Sequence, residues 1–468
     1  MKELVFESAT KLAGLVRSRQ VSPVELVEAH IRRIEEVNPR LNAYVSTAFE
    51  RARDLARASE YELMRGKAAG LLHGVPVSVK DTIETAGLRT VAGTRLRESY
   101  VPATDAPAVA RLKRAGAIVL GKTNVPECAM DYRAENPVFG ATSNPWDLGR
   151  VPGGSSGGEA AAIAAGCSAG GLGSDLGGSI RVPAHFCGIV GLKGTPGRIP
   201  VSGHFPPCIG PFALGASIGP LARRVEDLML WLRVLAGFDS GDPVSVPLPA
   251  SELDPAVAQG LQVMWYADDG ITPVTAATKS TVRHAAQALA RRGLKLEERR
   301  PAGLERTFEL WYTWLAEAGL PSILELYQGK EELMGPLIRA LAPQVRPLGL
   351  QQYVSIWFER DLLRTSVINE MARYPVILAP VAAVPAFGHG HRGGFRVNGQ
   401  EIEYPKAFSY CQAYNLLGLP AAVVPCGRSP EGLPIGVQVV GRPWEEETVL
   451  AVAALLEQEL GGYQRPPL

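Results

Sequence analysis

Residues 153–179 read GGSSGGEAAAIAAGCSAGGLGSDLGGS, and ten of these 27 residues are glycine. The chain as a whole has 50 glycines in 468 residues, so an average stretch of this length would hold about three. Glycine lets the backbone take positive φ and approach other groups closely. A run this dense is a place where backbone N–H groups can gather around an anion, and several devices compete for it. A P-loop needs a Lys after the glycines, and none follows here. A dinucleotide fingerprint begins at Gly171-Leu172-Gly173, but Leu176 stands where its third glycine belongs. Gly153-Gly154-Ser155-Ser156-Gly157 fits the G-x-S-x-G nucleophile elbow, with Ser155 as nucleophile and Asp361 and His389 or His391 downstream. Pro152 argues against a buried strand leading into that elbow. Ser156 and Glu159 also fit a capping box opening a helix over 159–165.

Helix and strand signals alternate on both sides of this segment. Ser22-Pro23 is an N-cap followed by Pro at the first helical position, and Val24, Leu26, Val27, Ile31 and Ile34 keep helical spacing. His30 lies inside that helix and reads as structural. A strand over 75–79 ends against Lys80. A helix over 106–115 stops at Gly116 and is followed by a buried strand over 117–120. Further strands are expected over 261–265, 294–297, 374–378 and 421–424, and helices over 276–292 and 445–460. Asn398-Gly399 between short alternating runs predicts a hairpin.

Composition excludes several classes. Lys+Arg is 48 against 47 for Asp+Glu, which leaves a formal charge of +1 and no footprint for a nucleic-acid binder. The apolar share is 46% and the charged share 20%, so the chain is not intrinsically disordered. Glycine with 37 prolines makes up about 19%, above the usual 12% or so, without a collagen period. Cys128, Cys167, Cys187, Cys208, Cys411 and Cys426 form no C-x-x-C pair and read as reduced thiols. Lys2, Glu3, Glu7 and Lys11 interrupt any signal-peptide core. Uncharged runs at 160–174, 205–222, 374–391 and 407–427 are too short or are broken by prolines and polar residues, so no membrane span is expected. A cytoplasmic protein is expected.

Several blocks carry a specific resemblance. GVPVSVKD (74–81), GAIVLGKTNVPE (116–127), NPWDLGRVPGGSSGGEAAA (144–162), GSDLGGSIRVPAHFCGIVGLKGT (173–195), NLLGLPAAVVPCG (415–427) and GLPIGVQVVG (432–441) resemble the amidase signature family in order and spacing. The likeness is weakest at about 240–350. It implies an α/β fold, a large, mostly parallel mixed β-sheet covered by helices on both faces. It implies one amidase domain over 1–468, with N-terminal helices over 1–65 and a signature core over 66–240. A variable, partly helical substrate-covering region over 241–370 and a C-terminal core part over 371–468 complete it.

The resemblance also implies a Ser–Ser–Lys triad made of Lys80, Ser155 and Ser179, with Ser179 and not Ser155 as nucleophile. The chemistry suits these residues. A serine is a poor nucleophile without a base. A lysine at the end of a buried strand is desolvated and can be a neutral amine, which arginine cannot become. Leu176, Gly177, Gly178 and Ser179 are the expected backbone donors to an oxyanion, and side chains at 177 and 178 would obstruct their turn. A helix starting near Ser179 would add its dipole. Asp175 and Arg181 read as a structural ion pair, and His185, His204, Lys122 and Lys193 as structural or pocket groups. Cys128, Ala129, Met130, Ile209, Phe212 and Phe408 are candidate pocket residues, and Leu214 could join an apolar lid. Trp311, Tyr312, Trp314, Leu326 and Trp357 could cover an acyl or aryl group or simply pack helices. No metal or other cofactor is expected.

Two branches of the family must be separated. The glutamine-hydrolysing component of tRNA-dependent amidotransferases is expected to carry an aspartate seven residues before the asparagine of NLLGLP, to bind an ammonium. That asparagine is Asn415, and position 408 is Phe. Arg364 aligns only loosely with the carboxylate-binding arginine of that component. VSGHFP (201–206) is similar to the fatty acid amide hydrolase-like branch. The expectation is a serine hydrolase of small, apolar or aryl amides, with esters and carbamates as further substrates, working as monomer or homodimer. The alternatives are the glutamine-hydrolysing component of an amidotransferase and, from another class, a catalytically idle scaffold.

Overall fold

The computed structural model describes residues 3–67, 70–252 and 254–468. The N-terminal signals translate directly into helices Ala9–Arg17, Pro23–Leu41 and Phe49–Met64. The second carries a complete capping box. Ser22 accepts from Val24 and Glu25 N–H, and the Glu25 carboxylate reaches back to Ser22 N–H. Between the second and third helices lies a short strand, Tyr44–Thr47, that has no clear sequence signal.

That strand is one edge of an 11-stranded sheet. In spatial order the strands are Tyr44–Thr47, Ile118–Thr123, Pro76–Lys80, Gly170–Asp175, Ser217–Ala222, Val190–Lys193, Ala421–Arg428, Pro434–Gly441, Val376–Pro380, Gln262–Trp265 and Lys295–Glu298. The expected large mixed sheet is therefore present. Its parallel pairs lie in two wings, around Pro76–Lys80 and around Gln262–Trp265. The strands between the wings pair antiparallel. The expected hairpin forms outside this sheet, from Phe395–Val397 and Gln400–Ile402.

Both faces of the sheet are buried along its interior strands, where alternate residues enter different cores, while the edge strand Lys295–Glu298 is mostly exposed. Val119 packs with the cluster holding Leu228, Leu232, Leu289 and Leu450, from helices Val225–Leu235, Ala276–Arg291 and Glu446–Leu460. Its neighbours Ile118 and Leu120 pack on the other side with Ile31, Ile34 and Ile163. Strands covered on both faces read as continuous apolar runs, which explains why their sequence signal was strong. Among the described residues no helix is long and apolar enough to cross a membrane.

Candidate active site

Lys80 is the last residue of the Pro76–Lys80 strand and is fully buried. Its Nζ lies 2.6 Å from Ser155 Oγ, 2.9 Å from Ser174 Oγ and 3.4 Å from the Ser174 carbonyl. Burial lowers its pKa to about 7, against the opposing pull of Asp175, Cys208 and Glu159. Ser155 is buried and enters through a cis Gly154–Ser155 peptide, ahead of helix Gly157–Ala164.

The hydrogen bonds around Lys80 define which way its lone pair faces. His204 Nδ1 lies 2.8 Å from the Pro206 carbonyl, which can only accept, so Nδ1 carries the proton. Burial, with help from Lys80, lowers the His204 pKa to about 3, so the ring is neutral and Nε2 accepts. Ser174 Oγ, 2.8 Å away, donates to it. Both Ser174 oxygens are thereby acceptors toward Lys80. A neutral amine has two protons to give them, and its lone pair is left for the Ser155 hydroxyl. The sequence placed His204 only as a structural or pocket group, because nothing local to 201–206 shows that it folds back on the Gly170–Asp175 strand.

Ser179 sits in the turn between strand Gly170–Asp175 and helix Arg181–Cys187 and is partly exposed. Asp175 organises the turn. Its carboxylate accepts from Gly178 N–H at 2.8 Å and Ile180 N–H at 3.1 Å, and pairs with Arg181 at 3.0 Å. Burial would raise the Asp175 pKa, but Arg181 outweighs it and holds the carboxyl well below the usual range. The expected structural ion pair is thus present, with both side chains fully buried. Gly178 adopts φ +109°, and a Cβ there would lie 2.8 Å from Cys411 Cβ. A Cβ on Gly177 would meet the Trp311 ring at 2.5 Å. Because Gly178 N–H is committed to Asp175, it is not a free donor. Among the described residues the N–H groups of Leu176, Gly177 and Ser179 have no protein acceptor.

Other expectations need correction. Ser156 does not close a capping box. Its Oγ bridges to Ser174 N and O at 3.3 Å, while Glu159 is buried and accepts from Ser78 and from Thr123 at 2.6 Å. The elbow reading fails because Asp361 pairs with Arg360, His389 touches Ser143, and His391 stacks on Phe395. None of them reaches Ser155. Phe408 is not a pocket residue. It is fully buried and stacked on Tyr132, with ring centroids 3.8 Å apart, in an aromatic cluster with Phe186, Phe395 and Tyr404. Cys128 is likewise buried, its Sγ 3.6 Å from Tyr327 Oη and its thiol pushed up to about 12 by burial. Ala129, Met130 and Phe212 remain partly exposed, and Ile209 and Leu214 are exposed.

Two aromatic residues that sequence reasoning had not tied to the turn hold it. Tyr132 Oη donates to the Gly177 carbonyl at 2.6 Å and accepts from Gln412 Nε2 at 2.9 Å. Trp311 Nε1 donates to the Leu176 carbonyl at 3.0 Å. Trp314 packs beside it against Phe212 and Trp357.

The amidase family model matches residues 25–450. The chain belongs to the amidase family. The glutamyl-tRNA(Gln) amidotransferase A subunit of Moorella thermoacetica is 36% identical over 497 residues, covering 99% of each chain. A bacterial aryl acylamidase of the amidase signature family superposes with TM-score 0.86 at 29% identity, covering 97% of this chain and 96% of that one. A fatty acid amide hydrolase superposes at 0.85 with 24% identity, over 98% and 86%, a likeness of fold alone. Amidase-family enzymes act on amide C–N bonds, and this chain is one of them.

Proposed function

We propose that the protein is a free-standing serine hydrolase that cleaves small, apolar or aryl carboxylic amides through an acyl-enzyme. Esters and carbamates are further substrates of the same acyl-transfer site. The whole chain serves as one catalytic domain, as monomer or homodimer. The carrying observation is the fully buried Lys80 amine, desolvated and 2.6 Å from Ser155 Oγ, with its other partners able only to accept. Neutral Lys80 takes the Ser155 proton, Ser155 takes that of Ser179, and Ser179 attacks the amide carbonyl. The N–H groups of Leu176, Gly177 and Ser179 receive the developing oxyanion. Ser155 then returns a proton to the leaving nitrogen, which is the demanding step for an amide. Water attacks the acyl-enzyme and regenerates Ser179.

A second reading, the glutamine-hydrolysing component of an amidotransferase, is favoured by the 36% identity, along the whole chain, to such a protein. Against it, position 408 offers a buried aromatic ring where that branch is expected to place a carboxylate. Arg364, the loosely aligned carboxylate binder, donates to the Leu417 carbonyl at 3.1 Å. A panel of aryl amides, esters, carbamates and glutamine, with fluorophosphonate labelling, separates the readings. We expect aryl-amide turnover and labelling that disappears in Ser179→Ala. Labelling that survives that substitution removes Ser179 as nucleophile. Glutaminase activity that requires a partner protein overturns the free-standing reading, and neither labelling nor turnover leaves the idle scaffold.

A further inference from the structure

The turn at 176–179 presents its N–H groups by tying down the carbonyl on the far side of each peptide. In a trans peptide the C=O of one residue and the N–H of the next point in opposite directions. The Asp175 carbonyl accepts from Asn415 Nδ2 at 3.3 Å, and the Leu176 N–H is open. The Gly178 carbonyl accepts from Val182 N–H at 2.7 Å, and the Ser179 N–H is open. The peptide between them in the chain is pinned at both ends, with Tyr132 on the Gly177 carbonyl and Asp175 on the Gly178 N–H. Among the described residues, the remaining peptide, Leu176–Gly177, is held by Trp311 alone. Its indole N–H is 3.0 Å from the Leu176 carbonyl, and its ring lies so close over Gly177 that no Cβ fits there.

We propose that Trp311 is a positioning residue for the oxyanion turn: by holding the Leu176 carbonyl, its indole N–H aims the Gly177 N–H at the oxyanion. This rests on the reading of Ser179 as nucleophile given above. It gives a specific use to one residue of the stretch at about 240–350, where the family likeness is weakest. Trp311 ends the short helix Thr307–Trp311, and the chain continues as a π-helical turn, Tyr312–Glu317. The helix packs against Ser409–Leu416, so the donor arrives on a fixed support. A donor turned away by a fraction of an ångström is a poor oxyanion partner, since the charge it meets exists only in the transition state. The loss should therefore fall on kcat.

The test compares Trp311→Phe, which keeps an aromatic ring and removes the donor, with the parent and with Ser179→Ala on p-nitroacetanilide. The expected result for Trp311→Phe is a kcat lower by about 10- to 100-fold, KM within about twofold and a fluorophosphonate labelling rate reduced in step with kcat. Thermal melting reports whether the fold is intact. If Trp311→Phe does not fold, a benzothienylalanine at position 311, which replaces only the N–H by sulfur, takes its place and must show the same kcat loss. An unchanged kcat in a folded variant, or a loss carried by KM alone, overturns the proposal while Ser179→Ala remains inactive. Activity surviving in Ser179→Ala overturns the underlying functional reading instead.

Discussion

At the residue scale, Lys80 links burial to chemistry. Its amine is useful only when neutral, and burial brings its pKa down to about 7. Activity should therefore rise through about pH 7 and level off above it. Because His204 is held neutral down to about pH 3, it adds no second step to that limb. A pH–kcat/KM profile checks both points. Lys80→Met removes the proposed base and should lower kcat by about 10²- to 10⁴-fold. The same lysine costs stability, and the sign follows from its two pKa values. The folded value lies below the unfolded value of 10.5, so the unfolded chain holds the proton more tightly. That cost is full at and below about pH 7 and vanishes above about pH 10.5. The melting temperature of Lys80→Met relative to the parent should therefore be higher at pH 7 than at pH 10. Lys80 was legible in the sequence through its place in the family-like block GVPVSVKD (74–81), since a lysine ending a strand reads by itself as a surface group. The orientation of its lone pair was not legible, because it depends on Ser174 and His204 meeting it from 94 and 124 residues away in the chain.

At the element scale, the turn after strand Gly170–Asp175 is rigid because one carboxylate serves it several times. Asp175 accepts from the backbone N–H groups of Gly178, Ile180 and Arg181 and pairs with the Arg181 guanidinium, which also reaches Gln438 at 3.0 Å and Asn415. Asp175→Asn leaves a fully buried guanidinium without its counter-charge, and should cost about 3–5 kcal/mol in urea unfolding along with most of the activity. In the parent, the depressed pKa of Asp175 keeps the pair ionised well into acid, so this support should not fail near neutral pH. The element boundaries were largely readable. Helices Pro107–Arg114, Ala276–Arg291 and Glu446–Leu460 lie within a residue or so of their expected ends, because caps and helix-stopping glycines are local signals. The capping box at Ser156 and Glu159 had the right local pattern and the wrong outcome. The helix is buried against the face of the sheet, and Ser78 and Thr123 offered Glu159 better partners than its own backbone.

At the scale of the molecule, position 408 is where the proposed free-standing reading departs from the expected glutamine site. Phe408 lies within a core of stacked rings, so Phe408→Asp should not create a glutamine site. It should cost about 3–5 kcal/mol in denaturant unfolding from the lost ring alone, and glutaminase assays should stay blank. Gained glutaminase activity would mean that the segment can open. The sequence by itself determined the family, the alternation of helices and strands, the sheet with helices on both faces, and that Lys80 and Ser155 belong to one site. These are carried by contiguous blocks and by periodicity, which are properties of neighbours along the chain. The tertiary structure alone decided which N–H groups of the turn stay free, that Trp311 and Tyr132 brace it, that His204 orients Ser174, and that Phe408 and Cys128 are core and not pocket. The bracing, the His204 contact and the burial of Phe408 and Cys128 depend on side chains that stand 30 or more residues apart in the chain, and no local pattern encodes such a meeting.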